Sequence, residues 1–241
     1  MWLVRPEGPV QGQANTVPAM TPAASRVIMG GRRFDREFMH AKHLPEHLPQ
    51  YLLAVATGVD AHSGLLRGAR YLPSPNYDAR PGGILPELIV VHGISLPPAQ
   101  FGGPWIDRLF TNTLPPEEHP YFATVAHLKV SSHLVIRRDG EPVQYVPFHE
   151  RAWHAGVSNY QGRERCNDFS IGIELEGGDE IAYEPAQYRM LSAVIVALCA
   201  AYPSLSPSRI AGHSDIAPGR KTDPGPAFDW QRLHALLRAT A

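Results

Sequence analysis

The chain has 241 residues, a length that corresponds to one or two domains and is sufficient for a complete hydrophobic core. Hydrophobic residues make up 44% of the chain and charged residues 19%, and the formal net charge is −1. These values exclude a wholly disordered chain, which has few apolar residues and a large net charge. They also argue against a strongly basic nucleic-acid-binding protein, so we expect no nucleic-acid partner.

Cysteine content and hydropathy limit the compartment and the type of site. Cys166 and Cys199 are too few for a disulfide framework or a thiolate zinc site. The longest uncharged run covers residues 190–208, but its apolar part ends at Pro203 and is too short to cross a bilayer. The N-terminus lacks a basic segment followed by an apolar one, so it does not resemble a secretory signal. We therefore expect a cytoplasmic protein without membrane contact.

Residues 1–60 differ in composition from the rest of the chain. Residues 8–25 consist mainly of Gly, Gln, Pro, Thr and Ala without periodicity, which is typical of a flexible segment. We predict that residues 1–60 form a flexible N-terminal extension and that residues 61–241 form the functional domain. Deleting the extension is then expected to leave stability nearly unchanged. In an alternative interpretation, the true start of the protein is Met20, Met29 or Met39.

Strand signals follow in chain order after residue 71. Each is a short β-rich segment bounded by turn residues, and Asp139-Gly140 supplies a hairpin turn between two of them. The predicted strands cover residues 88–92, 129–137, 142–147 and 169–175, and a further strand ends near Ile210.

Two helices are predicted in the last quarter of the chain. Residues 185–202 have apolar side chains at three- and four-residue spacing, with Pro185 in the first turn and Pro203 as the stop. Asp229 is a suitable N-cap for a terminal helix. Because strands and helices interleave, we predict an α/β (α+β) fold with a single mixed central β-sheet flanked by helices.

The segment 212–226, GHSDIAPGRKTDPGP, is the most informative part of the chain. It is nonperiodic and rich in proline, and such a rigid loop can hold side chains in a site. His213 and Asp223 can each offer a ligand atom to a metal ion, and His92, which ends a buried strand, is the best third candidate. Three such ligands leave a tetrahedral zinc ion with an open position, as in catalytic sites. On spacing alone, hydrogen-bonded structural histidines remain the alternative, because twelve histidines allow many triples.

Eight segments in one order along the chain carry a family resemblance. They are VHGISLPP (91–98), FGGPWI (101–106), IRRDG (136–140), QYVPF (144–148), RAWHAG (151–156), QGRERCNDFSIGIELE (161–176), GH (212–213) and KTDPGP (221–226). On these segments, the chain from about Leu65 to the last helix resembles the AmpD-type zinc-dependent N-acetylmuramoyl-L-alanine amidases, within the wider amidase and peptidoglycan-recognition superfamily. Several long matches in a fixed order are far more specific than any single motif.

The resemblance implies one zinc ion per chain, held by His92, His213 and Asp223. Two neutral imidazoles and one carboxylate leave the metal with a net positive charge, so that a bound water can lose a proton near neutral pH. The resemblance further implies that Glu174 handles the catalytic water and that Lys221 stabilises the transition state. An ammonium group beside the developing oxyanion fits the second role.

The sequence pattern itself does not separate the two glutamates of the strand. Alternation places Glu174 and Glu176 on one side, opposite Ile171, Ile173 and Leu175. Only the family pattern selects Glu174 for the site. A solvated strand face is the alternative interpretation of the glutamates.

Weaker expectations concern the substrate groove. Trp153 and His154 are predicted to line a sugar or peptide groove, and Arg165 and Lys129 are candidate partners for peptide carboxylates. Ordinary surface charge is the alternative for the two basic residues. Gly93 stands where related sequences commonly have Asn, so one polar contact to the substrate peptide is expected to be missing.

The implied reaction is hydrolysis of the amide bond between the lactyl group of (1,6-anhydro)-N-acetylmuramic acid and L-alanine. The expected substrates are small soluble muropeptides in peptidoglycan recycling, and no obligate protein partner is evident. Residues 97–121, rich in proline and aromatic residues, are expected to close the sugar pocket near His92. Covering the sheet edge is their alternative role.

Two other functions are weighed against this one. A recognition module that binds peptidoglycan without cutting it would lack a metal ligand, whereas all five expected site residues are present here. An amidase that acts on the polymeric wall would keep the same chemistry but require export from the cytoplasm.

Overall fold

The computed structural model describes Val55 and residues 58–240. Most of the predicted N-terminal extension, together with its alternative start sites, lies outside the described residues. The strands are β1 Val59–Asp60, β2 Leu65–Leu66, β3 Arg70–Tyr71, β4 Tyr77–Asp78, β5 Leu88–Ile94, β6 Leu134–Ile136, β7 Pro142–Gln144, β8 Arg151–Ala152, β9 Asn159–Tyr160, β10 Arg163–Glu164, β11 Ser170–Glu176 and β12 Ile210–Gly212. The α-helices are α1 Trp105–Phe110, α2 Pro120–Val125, α3 Pro185–Ala201, α4 His213–Ile216 and α5 Trp230–Ala239.

Six strands form the central sheet, in the order β12-β5-β11-β6-β7-β3. Strands β12, β5, β11 and β6 run parallel, β7 is antiparallel to β6, and β3 is parallel to β7. The mixed central sheet predicted from the sequence is therefore confirmed. Three antiparallel ribbons, β1–β2, β4–β8 and β9–β10, are not part of this sheet.

Strands β5 and β11, the second and third of the six, pair in parallel over their full lengths. All residues of both strands except Gly93 are buried. Strands that are covered on both faces are expected to be continuously apolar. His92 and Glu174 interrupt this pattern at adjacent register positions, and buried polar groups of this kind need a specific explanation.

Helices α3 and α5 cover one face of the sheet and confirm the two helices predicted from the sequence. Helix α3 begins at Pro185, where Glu184 and Gln187 form a reciprocal capping box. Helix α5 is capped by Asp229, whose carboxylate accepts a hydrogen bond from the backbone N–H of Arg232. The buried side chains between these helices and the sheet include Leu191, Val194, Ile195, Leu233, Ile89, Ile171 and Ile173. Within the described residues, no helix is long and apolar enough to cross a membrane.

Helices α1 and α2 pack on the opposite face of the sheet. Their apolar side chains contact Val135 of β6, which points away from Leu134 and Ile136 because side chains alternate along a strand. The sequence does not predict these helices, since six residues give little helical periodicity. The segment 97–121, which contains α1, follows directly after the C-terminal end of β5.

The described domain includes residues that precede the boundary predicted at residue 60. Val55 is fully buried in the core beneath α3, and Val59 packs against the same cluster. Strand β1 pairs with β2. Apolar side chains from the predicted extension therefore contribute to the core.

Candidate metal centre and active site

Three neighbouring strands bring the candidate site residues together at one edge of the sheet. His92 lies near the C-terminal end of β5, and His213 directly follows β12, which pairs in parallel with β5. Glu174 lies opposite His92 in β11. Because the C-terminal ends of parallel strands meet at the same edge, residues that are far apart in sequence become adjacent there.

Asp223 comes from the proline-rich loop after α4 and completes a group of three potential ligands. Its backbone carbonyl accepts a hydrogen bond of 2.9 Å from the N–H of Ser214, so the loop folds back onto the start of α4. Nδ1 of His92 lies 2.9 Å from Nδ1 of His213, and the two nitrogens lie 3.2 and 3.1 Å from Oδ2 of Asp223. Within the part of the chain that the structure describes, this is the group of His, Cys, Asp and Glu side chains arranged to hold a metal ion.

The chemistry of this donor set fits zinc. Two imidazole nitrogens and one carboxylate oxygen are common zinc ligands, and ligands of one tetrahedral zinc lie roughly 3.3 Å apart. His92 and His213 have no exposed surface, and Asp223 is 8% exposed. Nε2 of His213 lies 3.1 Å from the carbonyl oxygen of Ala155 and must donate its proton there, so Nδ1 keeps its lone pair. Electron-rich atoms this close together favour a shared cation.

Electrostatics keep His92 in the form that binds metal ions. Burial lowers the pKa of His92 to about 4, and the adjacent His213 contributes in the same direction. The imidazole is therefore neutral at physiological pH, as a metal ligand requires.

Glu174 has the environment of a catalytic acid or base. Its Oε1 lies 4.0 Å from Nδ1 of His92, and its Oε2 is buried without a hydrogen-bonding partner. Burial raises the pKa of Glu174 well above its ordinary value, and the negative charge of Asp223 adds to the effect. A buried carboxylate oxygen without a partner is unusual in a folded protein, and groups of this kind cluster at functional sites.

Lys221 lies two residues before Asp223 and is 8% exposed. Burial lowers the pKa of its ammonium group, while the charges of Asp223 and Glu174 act in the opposite direction. An ammonium group under the influence of both carboxylates suits a site in which negative charge develops during the reaction.

The structure separates the two glutamates that alternation places on one side. Glu176 Oε1 accepts a hydrogen bond of 2.6 Å from the backbone N–H of Gly102, and Oε2 accepts one of 3.2 Å from the N–H of Arg138. It also pairs with Arg137 at 3.4 Å. Glu176 therefore anchors the segment after β5, whereas Glu174 has an oxygen available.

His154, expected in the substrate groove, lies beside a candidate metal ligand. This residue is only 3% exposed, and its Nδ1 lies 2.9 Å from Nε2 of His92, on the side away from the other ligands. It therefore contacts a candidate metal ligand, and its expected place in the groove stays a prediction. Sequence reasoning could not find this contact, because strand and loop patterns do not show which side chains meet across the core.

The other expected groove residues stay predictions. Trp153 is partly buried, and its Nε1 donates a hydrogen bond of 3.2 Å to Asp78. Arg165 is exposed and pairs with Asp168 at 3.1 Å, and Lys129 is exposed.

Sequence reasoning also missed Tyr183, which occupies the space beside Gly93. A Cβ atom at position 93 would lie less than 3.0 Å from the Tyr183 hydroxyl. That hydroxyl donates a hydrogen bond of 2.9 Å to the carbonyl oxygen of Pro224, next to Asp223. Gly93 thus makes room for a tyrosine that holds the loop carrying one candidate ligand.

Comparisons with known proteins identify the relatives of this chain. The family described as N-acetylmuramoyl-L-alanine amidase matches residues 82–226, a segment that contains all five predicted catalytic and metal-binding residues. Two relatives, from Salmonella typhimurium (strain SL1344) and Escherichia coli (strain K12), are each 66% identical over 174 residues. The matches cover 72% of this chain and 92% and 94% of the relatives, and both relatives are called 1,6-anhydro-N-acetylmuramyl-L-alanine amidase AmpD.

A solved structure shows the same fold. The crystal structure of a selenomethionine AmpD derivative is 64% identical to this chain and has a TM-score of 0.72. The match covers 74% of this chain and 98% of the solved one.

Proposed function

The chain belongs to the N-acetylmuramoyl-L-alanine amidase family and is such an amidase, and from this premise we propose that it is a zinc enzyme that hydrolyses 1,6-anhydromuramyl peptides. In this proposal it cleaves the amide bond between the lactyl group of 1,6-anhydro-N-acetylmuramic acid and L-alanine. The observation that carries the proposal is the buried group of His92, His213 and Asp223, with Glu174 4.0 Å from His92. The names of the close relatives support the choice of substrate.

His92, His213 and Asp223 would hold the zinc ion, which when bound polarises the amide carbonyl and acidifies a water molecule. Glu174 accepts a proton from that water and returns it to the leaving nitrogen. Its raised pKa suits this exchange, because a base that titrates nearer to neutral pH can also act as an acid. The water oxygen forms a bond to the carbonyl carbon, the C–N bond breaks, and the products are a carboxylic acid and the free amino group of L-alanine.

Lys221 acts on the oxygen of the cleaved carbonyl. As the water adds, that oxygen gains negative charge, and a positioned ammonium group stabilises it. The role of Lys221 depends on its partial burial, since charges interact more strongly where water is excluded.

The preference for the anhydro sugar is assigned to the segment 97–121. Glu176 fixes the backbone of this segment at Gly102, and α1 packs it onto the sheet beside the end of β5. A wall that is held in this way suits a compact bicyclic sugar better than a long glycan strand. Trp153, Arg165 and Lys129 remain candidates for the peptide and sugar contacts.

The proposed setting is the cytoplasm, where the enzyme acts on soluble fragments without an obligate protein partner. Cys166 and Cys199 are both free cysteines, which is compatible with a reducing compartment. Fractionation of cells that produce a tagged full-length chain tests this setting.

Product analysis by mass spectrometry tests the function. Purified protein is incubated with a soluble anhydromuropeptide and, separately, with intact sacculi, with a His213→Ala variant as the control. We expect the free peptide and the sugar acid from the soluble substrate, little release from sacculi, and no activity in the variant. Full activity after exhaustive metal chelation would contradict the zinc assignment, and efficient release from sacculi would favour the exported wall amidase. Binding without any cleavage would favour the recognition module.

A kinetic comparison tests the sugar preference. We expect kcat/KM for an anhydromuropeptide to exceed that for the same peptide on a reducing sugar by at least about tenfold, or about 1.4 kcal/mol in transition-state binding. Equal values would contradict the assignment of a closed pocket.

A further inference from the structure

A chain of hydrogen bonds runs from His92 away from the other candidate ligands and into the core. Nε2 of His92 lies 2.9 Å from Nδ1 of His154, and Nε2 of His154 lies 3.1 Å from the hydroxyl oxygen of Ser170. The Ser170 hydroxyl lies 2.6 Å from the carbonyl oxygen of Cys166. All four residues are buried, with His154 the most exposed at 3%.

The carbonyl group of Cys166, at the end of this series, fixes the direction of each hydrogen bond in it. A backbone carbonyl only accepts, so the Ser170 hydroxyl donates to Cys166 and its oxygen is left to accept from His154. The proton of the His154 imidazole is therefore on Nε2, and its Nδ1 accepts a hydrogen bond from the Nε2–H group of His92. His92 in turn presents the lone pair of Nδ1 toward His213 and Asp223.

We propose that His154 is a positioning residue that holds His92 in its Nε2–H tautomer and thereby prepares it to bind zinc, with Ser170 fixing the tautomer of His154. The proposal rests on the proposed zinc site and adds to it a residue that touches neither metal nor substrate. Ligating histidines generally donate their second ring N–H to a carboxylate, a backbone carbonyl or a water molecule, and here the His154 imidazole takes that place; mutation of such a partner typically lowers metal affinity or activity 10- to 100-fold.

The surrounding backbone is built to hold the His154 ring. The backbone N–H groups of His154 and Ala155 donate to the side-chain oxygen of Asn167 at 3.1 and 2.8 Å. A Cβ atom at Gly172 would lie less than 3.0 Å from the ring, so glycine in β11 makes room for it. The same dipeptide thus orients both histidine ligands, through the ring of His154 and through the carbonyl of Ala155, which accepts from His213.

The two ligands differ in how they can be tested. His213 is oriented by a backbone carbonyl, which substitution leaves in place, whereas His92 depends on a side chain. His154→Leu replaces the imidazole with an apolar side chain and so removes the Nδ1 acceptor. His154→Asn instead provides an amide oxygen, also an acceptor, close to the position of Nδ1. Ser170→Ala removes only the hydroxyl that fixes the His154 tautomer.

Zinc affinity, measured by competition with a chelator, is the first readout. We expect His154→Leu to lose roughly 10- to 100-fold in affinity, Ser170→Ala to lose less, and His154→Asn to bind more tightly than His154→Leu. The matched control is Ser132→Ala, because the Ser132 hydroxyl is equally buried. It donates a hydrogen bond of 2.8 Å to the carbonyl of Gly172 and is not part of the series of hydrogen bonds that starts at His92. This control is expected to keep wild-type affinity.

The tautomer of His92 is the second readout, which a purely structural role of His154 would not change. In ¹⁵N-detected long-range NMR spectra of the metal-free protein, we expect His92 to carry its proton on Nε2 in the wild type and to show both tautomers in Ser170→Ala. The melting temperature of each metal-free variant reports folding, and Ser170→Ala carries the test where His154→Leu does not fold.

The outcomes separate this proposal from the zinc assignment. Wild-type zinc affinity in a folded His154→Leu variant, or an Nδ1–H tautomer of His92 in the wild type, would overturn the positioning role. Equal losses in Ser132→Ala and Ser170→Ala would also overturn it, since any buried hydroxyl would then suffice. A wild-type protein that binds no zinc would instead overturn the proposed function.

Discussion

Glu174 illustrates how a single side chain combines a structural cost with a chemical use. Its carboxylate is buried in the middle of the sheet, and one of its oxygens has no partner. Burial without full hydrogen bonding destabilises the folded state, and such costs are typical of functional sites. Removing the charge should therefore affect activity and stability in opposite directions.

We expect Glu174→Gln to retain zinc and to melt at the same or a higher temperature than the wild type. The hydrolysis rate should fall by roughly 100-fold or more, the usual scale for general acid–base catalysis. Steady-state kinetics, metal analysis and calorimetry measure the three quantities. Complete loss of zinc would instead identify Glu174 as a ligand.

Glu176→Gln is the matched control for this prediction, because it makes the same change two residues along the same buried strand. Both Glu176 oxygens accept hydrogen bonds, and one of them pairs with Arg137. We expect this variant to lower the melting temperature and to keep far more activity than Glu174→Gln.

At the residue scale, the family resemblance predicts which side chains form the candidate site but not what surrounds them. His92, His213 and Asp223 are predicted as one group, and the structure brings them within hydrogen-bonding distance. The contact of His154 with His92 is not predictable, because it depends on how a loop after β8 packs against two strands.

At the element scale, Tyr183 packs between β5 and the loop after α4 and so determines which residue is tolerated at position 93. The Tyr183 ring lies against this strand, and its hydroxyl occupies the place of a side chain at Gly93. The tyrosine also contacts Phe228 edge-to-face, with ring centres 5.4 Å apart. The strand, the loop and the start of α5 are thus coupled through one aromatic side chain.

Gly93→Ala is expected to destabilise the protein by about 1–3 kcal/mol, the usual cost of overpacking a core. In Tyr183→Phe the hydroxyl is gone, and the nearest ring carbon lies 3.5 Å from the added Cβ, an ordinary contact distance. The alanine should therefore cost less in the phenylalanine background than in the wild type. A double-mutant cycle of urea unfolding measures this coupling, and strictly additive effects would contradict the packing argument.

The length and burial of an element decide whether the sequence reveals it. Helix α3 has seventeen residues and clear terminal signals, and it was predictable to within one residue. Helices α1 and α2 are too short for a periodic pattern, and the segment predicted as a strand over residues 129–137 contains only the three residues of β6. Among the polar residues before β6, His133 is bonded through its backbone to Gly172 and Tyr145, and its Nδ1 also accepts a hydrogen bond of 3.0 Å from the backbone N–H of Gly172.

At the scale of the whole molecule, strand order creates the site. The sequence predicts a mixed sheet, but it does not predict that β12 lies beside β5 and that β11 lies on the other side of β5. These pairings join segments more than 75 residues apart, so no local pattern encodes them. They place His92 between Glu174 and His213.

Buried neutral histidines make the stability of the whole domain sensitive to acid. Burial lowers the pKa of His133 to about 3, and the adjacent Arg80 guanidinium contributes in the same direction. Between pH 6.5 and 3 the unfolded chain therefore binds a proton at His133 that the folded chain does not, so stability falls as the pH falls. We expect His133 to lower the free energy of unfolding by about 1 kcal/mol for each pH unit below 6.5.

Urea unfolding of the metal-free protein at pH 7, 6 and 5 measures this slope. A His133→Gln variant is expected to be less stable at pH 7, because it loses contacts in the core, but to lose less stability between pH 7 and 5. Parallel curves for the two proteins would show that His133 is not responsible.

The extent of the folding unit gives the last prediction, which concerns the boundary near residue 60. Val55 is fully buried in the core beneath α3, Val59 packs beside it, and β1 pairs with β2. Burying one such apolar side chain contributes about 1.5–3 kcal/mol, and one kcal/mol shifts the melting temperature of a chain of this size by about 2–4 °C. Deleting residues 1–60 should therefore lower the melting temperature by roughly 3–12 °C, which replaces the nearly unchanged stability expected from the sequence, whereas deleting residues 1–48 should change it little. Val55→Ala in the full chain should reproduce part of the larger loss, and equal melting temperatures for the two truncated proteins would show that the core does not depend on residues before 61.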